Sequence, residues 1–284
     1  MAATGTWADD LTDKVCVVTG GAGGIGSALA ARFLAAGMRV VVADVEPEAI
    51  TTAVDGLGAG ERVLGTTYDV RSLEDTRRLR DETLDHFGGV HIVCLNAGVA
   101  PVGAMFDTPS DVWDWVFDVN VRGVVHGALT FGPILAEQEA GHVVCTASIA
   151  GLTDTPTLPP YGLSKHAVVG LAAAMRRELA ERGVGVSVLC PGLVNTRIFE
   201  SERNRPEGMD DPSDDNPTSK EYRDMITHGA PPAQVAEVVY QAVLDNQFFV
   251  FPTRDLDALI EARLADIRQG MEWRDARFPD GGAR

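Results

Sequence analysis

The sequence predicts an α/β protein: a doubly wound parallel sheet of about seven strands with helices on both faces. Three observations carry this. Short β-branched runs recur near residues 14–19, 39–43, 62–68, 91–95, 142–147, 184–190 and 248–251. Longer segments with apolar residues at helical spacing lie between most of them, and that alternation means parallel strands joined by helical crossovers. The first run meets the first helical segment through a cluster of glycines, in "VVTGGAGGIGSALAARFLAAG".

With 284 residues, no internal repeat and no evident linker, the chain reads as one domain over 1–284. Its 24 basic and 41 acidic residues give a net charge of -17, which opposes binding to phosphate backbones and anionic lipid, so neither nucleic acid nor membrane is an expected partner. No apolar stretch approaches a membrane span. The start, "MAATGTWADDLTDK", lacks the basic flank and apolar centre of a signal peptide, so a cytoplasmic protein with a short loose N-terminus is expected. Cys16, Cys94, Cys145 and Cys190 sit in separate β-like runs without the close pairing of a metal site; they read as buried, reduced hydrophobes, and no metal is expected.

Along the chain, the glycine turn fits two registers: Gly21-x-Gly23-x-x-Gly26, or Thr19-Gly20-x-x-x-Gly24-x-Gly26. In either, glycine lets backbone approach a pyrophosphate that sits at the positive end of the following helix. The second strand, "RVVVADV", ends at Asp44, whose carboxylate would accept hydrogen bonds from adenosine ribose hydroxyls and repel a 2′-phosphate; the other reading is a cap for the helix beginning at Pro47. Neither sequence neighbour of Asp44 is basic, so NAD is favoured over NADP. The alternation breaks at a polar stretch of about thirty residues, expected to form a substrate lid at about 195–230 because it follows the carboxyl end of a strand. After the last strand, "LDALIEARLADIRQGMEW" predicts a further amphipathic helix within an extension over 253–284, ending in a frayed tail. In "YGLSK", Tyr161 and Lys165 stand four apart, on one face of a helix.

In order, "TGGAGGIG", Asp69-Val70, Asn96-Ala97-Gly98, Asn120 in "DVNVRG", Ser148 in "TASIAG", "YGLSK" and Pro191-Gly192 resemble the motifs of the short-chain dehydrogenase/reductase family, from about residue 12 to 197. The resemblance implies a Rossmann-type fold, an enzyme working on a small molecule with a nicotinamide cofactor, and a homo-oligomer, dimer or tetramer. It implies cofactor contacts from Thr19, Gly20, Gly24, Ile25, Gly26, Asp44, Asp69, Val70, Asn96, Ala97, Gly98, Tyr161, Lys165, Pro191, Gly192, Val194 and Thr196. It also implies a catalytic set of Asn120, Ser148, Tyr161 and Lys165. The extension resembles the C-terminus of some bacterial members that oxidise bulky aryl or alicyclic alcohols, and departs from the shortest members, whose tetrameric packing is thereby put in doubt.

A free tyrosine has a pKa near 10 and is a poor base at neutral pH; lowering it by about three units takes roughly 4 kcal/mol of preferential phenolate stabilisation. By resemblance, Lys165 and the oxidised nicotinamide supply this, Ser148 holds the substrate oxygen, and Asn120 positions a water that returns the proton through Lys165. Residues expected near the substrate are mostly apolar: Val99, Pro101, Val102, Ile149 to Leu152, Leu158 to Pro160, Leu193, Ile198 and Phe199. They suit a bulky alicyclic or aryl secondary alcohol or its ketone, with NAD as cofactor. An NADPH-dependent ketoreductase, a non-catalytic NAD(H)-sensing protein of the same fold, and an epimerase or lyase using the same Tyr-Lys pair are the alternatives.

Overall fold

The computed structural model describes residues 7–209 and 217–278; the expected loose N-terminus (1–6), part of the expected lid (210–216) and the end of the C-terminal extension (279–284) lie outside the described residues. Strands β1 (Val15–Thr19), β2 (Arg39–Asp44), β3 (Val63–Thr67), β4 (Ile92–Leu95), β5 (Gly141–Thr146), β6 (Val184–Leu189) and β7 (Phe249–Val250) form one sheet in the order β3-β2-β1-β4-β5-β6-β7. Every pairing is parallel. The chain winds outward from β1 through β3, then returns beside β1 as β4, so the order reverses between β1 and β4. Ligands of open parallel sheets bind beyond the carboxyl ends of the strands at such a switch point.

The inner strands β1, β2, β4, β5 and β6 are covered on both faces, which is why they read as nearly continuous apolar runs, whereas the edge strands β3 and β7 carry exposed residues. On β1, Val15 and Val17 join one core with Phe131, Leu135, Val168 and Met175, while Cys16 and Val18 join the other with Leu29, Phe33, Val235 and Val239. The first core is roofed by α3 (Leu73–Phe87), α5 (Gly123–Gln138) and α6 (Pro159–Ala180), the second by α1 (Gly24–Ala35) and α8 (Pro232–Leu244). Local signals fix the helix ends. The Ser72 hydroxyl caps α3 by accepting from the Asp75 amide (3.0 Å), and Gly88 ends it at φ 77°. α2 (Pro47–Leu57) and α6 both begin with proline, which lacks the amide that a first turn leaves unpaired. Between α4 (Ser110–Phe117) and α5 the chain passes without a break through a π-helical turn, Asp118–Arg122.

The polar insert is partly helical. A 3-10 segment, Ile198–Asn204, precedes α7 (Pro217–Ile226), and a parallel bridge between Val194 and Ala230 closes the base of the excursion. The last helix is α9 (Asp257–Arg277), and none of its residues is buried. All four cysteines are buried free thiols; Cys16, Cys94 and Cys145 lie in β1, β4 and β5, and Cys190 one residue beyond β6.

Candidate active site

A cleft of about 460 Å³ opens at the switch point. Its floor is the glycine turn, and the conformations there select the second of the two registers. Gly20 and Gly24 take positive φ (62° and 53°), whereas a Cβ at Gly26 would lie 2.0 Å from the Gly20 carbonyl oxygen. Gly20, Gly24 and Gly26 therefore have separate steric reasons. Helix α1 starts at Gly24 with no side-chain cap and no acid in its first turn, so its first amides and positive dipole end meet the cleft at Gly24 and Ile25. Anionic oxygens fit this cradle, and the glycines leave them room.

At the end of β2, Asp44 does not cap α2, whose N-cap residue is Glu46 without a side-chain bond. Its carboxylate instead accepts from the amides of Ala22 (3.0 Å), Val45 (2.8 Å) and Glu46 (3.3 Å), joining the glycine turn to the strand end at the cleft wall. Asp69 and Val70 line the same end, with Asp69 gripped by Arg71 at 2.7 Å. Neither sequence neighbour of Asp44 is basic, and the structure places a cation from far along the chain against Glu46, two residues beyond it. Arg203, in the 3-10 segment of the insert, binds Glu46 at 2.8 Å, and Asn204 donates to the same oxygen at 3.0 Å. Burial pushes the Glu46 carboxyl up, but these two partners more than offset it and hold it below its ordinary value.

Thr19 and Asn96 tie the ends of β1 and β4. The Thr19 hydroxyl accepts from the amides of Asn96 (2.9 Å) and Ala97 (3.2 Å), and the Asn96 amide group donates to the Thr19 carbonyl (3.1 Å). Asn96, Ala97 and Gly98 line the cleft; Thr19 and Gly26 do not, and serve it by shaping the loop behind it. Pro191, Gly192, Val194 and Thr196, after β6, line the opposite wall.

Ser148, Tyr161 and Lys165 meet at the centre of the cleft. Burial pushes the Tyr161 phenol above its ordinary pKa, and a hydrogen bond with Ser148 offsets part of this. Burial pulls Lys165 down to about 8; its ammonium donates to the Thr146 carbonyl at 2.8 Å and lies 5.5 Å from the centre of the Tyr161 ring. Asn120 is fully buried behind this trio rather than lining the cleft. Its side chain accepts from the Val99 amide and donates to the Val99 carbonyl and the Ser164 hydroxyl, each at 2.9 Å. Gly98 makes the packing feasible, since a Cβ there would lie 3.3 Å from Asn120 Oδ1 and 3.4 Å from Lys165 Nζ.

The remaining wall is apolar and comes from several parts of the chain. Val99, Trp115, Ile149, Leu158, Leu193, Ile198 and Phe199 line it, as do residues the sequence did not flag: Tyr222, Met225 and Ile226 from α7, and Leu256 and Leu259 at the start of α9. The Tyr222 ring lies 4.9 Å from that of Phe199, and its hydroxyl meets Thr157 at 2.7 Å. Two expectations are corrected here. Pro101 and Val102 turn away to a separate cavity of about 190 Å³ with Thr157 and Arg205, and Gly151, Leu152, Pro159 and Pro160 pack behind the wall. Gly151 packs on α6, where a Cβ would lie 2.6 Å from the Lys165 carbonyl oxygen, so of the stretch Ile149 to Leu152 only Ile149 and Ala150 reach the cleft, joined farther along by Thr153, Asp154, Thr155 and Pro156.

The sequence pattern described as short chain dehydrogenase matches residues 14–207. The chain belongs to the short-chain dehydrogenase/reductase family. It is 32% identical over 269 residues to a CLA biosynthesis dehydrogenase/reductase of Lactiplantibacillus plantarum, covering 91% of this chain and 94% of that protein. It is 34% identical to the 1-deoxy-11-beta-hydroxypentalenate dehydrogenase of Streptomyces exfoliatus, covering 95% and 92%. A short-chain dehydrogenase/reductase from Burkholderia phymatum, solved in complex with NAD, superposes with a TM-score of 0.88 at 35% identity, covering 92% of this chain and 96% of that one. The protein is thus an oxidoreductase of the short-chain family acting on CH–OH groups of small molecules with NAD(P). Among the described residues no helix is long and apolar enough to cross a membrane, and no group of His, Cys, Asp or Glu is placed to hold a metal.

Proposed function

We propose that this protein interconverts a bulky apolar secondary alcohol, alicyclic or aryl, and its ketone, using NAD, as a cytoplasmic homo-oligomer. The observation that carries the reading is that Ser148, Tyr161 and Lys165 line one cleft whose outer wall is Trp115, Leu158, Phe199, Met225 and Leu259. Two hydroxyls can hold one alcohol or ketone oxygen, and the apolar wall favours a ring over a phosphate or a sugar. A nicotinamide cofactor held by the glycine turn and by Asn96, Ala97 and Gly98 would supply the hydride chemistry and, in its oxidised form, a positive charge that favours the phenolate. Tyr161 exchanges the proton of the substrate oxygen, and the Lys165 ammonium stabilises the phenolate it leaves. Lys165, which lines the same cleft, would also hold the ribose of a bound cofactor. Because the Asn120 side chain is already bonded to Val99 and Ser164, its part in returning the proton through a water falls to its main chain in the π-helical turn.

Asp44 supports the choice of NAD. A 2′-phosphate about 4 Å from this carboxylate would meet a repulsion of up to roughly 4 kcal/mol per charge pair at an effective dielectric of 20. The second reading, an NADPH-dependent ketoreductase, is favoured by one observation: Arg203 sits at the same end of the cleft, held by Glu46. The test is a screen of secondary alcohols with NAD or NADP, and of ketones with the reduced forms, followed by nicotinamide absorbance. Turnover of ring-bearing alcohols with NAD, at least tenfold more efficient than with NADP, is expected. Cofactor binding without turnover across a broad panel would point to a sensing protein.

A further inference from the structure

Helix α9 departs from the mouth of the cleft, where Leu259 lines the wall, and leaves an apolar stripe in solvent. Ile260, Leu264, Ile267 and Met271 follow one another at spacings of four, three and four, the 3.5-residue repeat that keeps a seam facing a second helix. Leu264, Ile267 and Met271 are 39%, 51% and 52% exposed. A helix of this length with no buried face gains little from propensity alone, because most helical stability comes from packing such a stripe.

Charge identifies the occupant. The chain carries a net charge of -17, yet α9 balances Asp257, Glu261, Asp266, Glu272 and Asp275 against Arg263, Arg268, Arg274 and Arg277. Two copies would repel through their overall acidity, but the near balance of five acids and four arginines leaves α9 able to pair with itself. We infer that α9 pairs antiparallel with α9 of a second copy of this chain. One register sets Leu264 opposite Ile267 of the partner subunit and Ile260 opposite Met271 of the partner subunit, closing four apolar layers about a two-fold axis. The same register puts Glu261 beside Arg268 of the partner subunit, twice by symmetry. A parallel pair would instead bring Arg263 against Arg268 of the partner subunit, like charge against like. Beyond the stripe, Trp273 and Phe278 are 66% and 48% exposed, and the apolar side chains of this segment together offer on the order of 500 Å², a large part of the roughly 800 Å² per partner that a stable interface buries. Since Leu256 and Leu259 stand on the cleft wall at the root of the same helix, the pairing would fix one wall of the substrate site.

Light scattering and sedimentation of the full chain test this. Leu264→Glu/Ile267→Glu should halve the mass of the assembly at micromolar concentration while far-ultraviolet circular dichroism stays native. Independently of that variant's folding, Glu261→Arg and Arg268→Glu should each weaken self-association at least tenfold, and the two together should restore it. An unchanged mass in the folded apolar variant overturns the inference, as does a double charge swap no better than either single. A wild-type chain that is monomeric and floats with zwitterionic lipid vesicles would also overturn it, assigning the stripe to a membrane surface instead.

Discussion

The two walls of the cleft are built differently. The wall that carries Ser148, Tyr161, Lys165 and the glycine turn grows directly out of strand ends and one long helix, and almost every polar group on it is already bonded: Lys165 to Thr146, Asn120 to Val99 and Ser164, Asn96 to Thr19. The facing wall is assembled from the insert and the C-terminal extension, which reach the core through a few ties. Val194 bridges Ala230, the Ser201 hydroxyl accepts from the Ala100 amide at 2.9 Å, Arg203 holds Glu46, and Asp255 accepts from the Leu193 amide at 2.9 Å. The first wall is preorganised for a reaction common to many substrates. The second can vary without disturbing the sheet and, under the proposed function, would be where the substrate is read.

The largest expected effect breaks the first wall alone. Tyr161→Phe keeps the ring and removes the proton-transferring oxygen, so turnover should fall by about 10³-fold while NADH affinity, followed by nicotinamide fluorescence, stays within about twofold. Lys165→Met should also abolish turnover and, unlike the tyrosine variant, weaken NADH. It should nevertheless stabilise the fold. The folded chain gives up the Lys165 proton near pH 8 and the unfolded chain only near 10.4, so wild-type stability from this residue is lowest below pH 8 and rises between those values. Calorimetry at pH 7 should show Lys165→Met unfolding at a higher temperature, by a free energy on the order of 3 kcal/mol at most, with the gain shrinking as pH approaches 10.

A smaller effect sharpens the join between the walls. Asp44→Ser should narrow the preference for NAD mostly by weakening NAD, and adding Glu46→Gln should release Arg203 from its ion pair. The double variant should then use NADP at least as well as NAD, compared by kcat/KM; a preference left unchanged would remove Asp44 from cofactor choice.

The same contrast governs what could be read from the sequence. The first wall is legible because its demands are local: a positive φ at Gly20 and Gly24, a missing Cβ at Gly26, and a tyrosine and lysine four apart on α6. The inner strands are legible to within a residue or two because burial on both faces makes them apolar, and the edge strands β3 and β7 because β-branched or aromatic residues mark them. The second wall is not. Glu46 and Arg203 are 157 positions apart, Thr157 and Tyr222 are 65 apart, and neither pair leaves a periodic trace. The segment 195–230 is legible as a polar break in the alternation, but α7 as the carrier of Tyr222 and Met225 is not, because Lys220, Glu221, Arg223 and Asp224 interrupt its apolar pattern. Pro101 and Val102 were misplaced for the converse reason: being apolar and following β4 did not reveal that they face a second cavity.

The division of labour between the walls is tested most directly by steady-state and single-turnover kinetics of Tyr222→Phe/Leu259→Ala on a ring-bearing alcohol that the wild type oxidises. The account predicts a KM raised about tenfold or more, with kcat and NADH affinity within about twofold, since only binding shared by ground and transition state is removed. A collapse of kcat at unchanged KM would contradict it, because the outer wall would then belong to the chemistry.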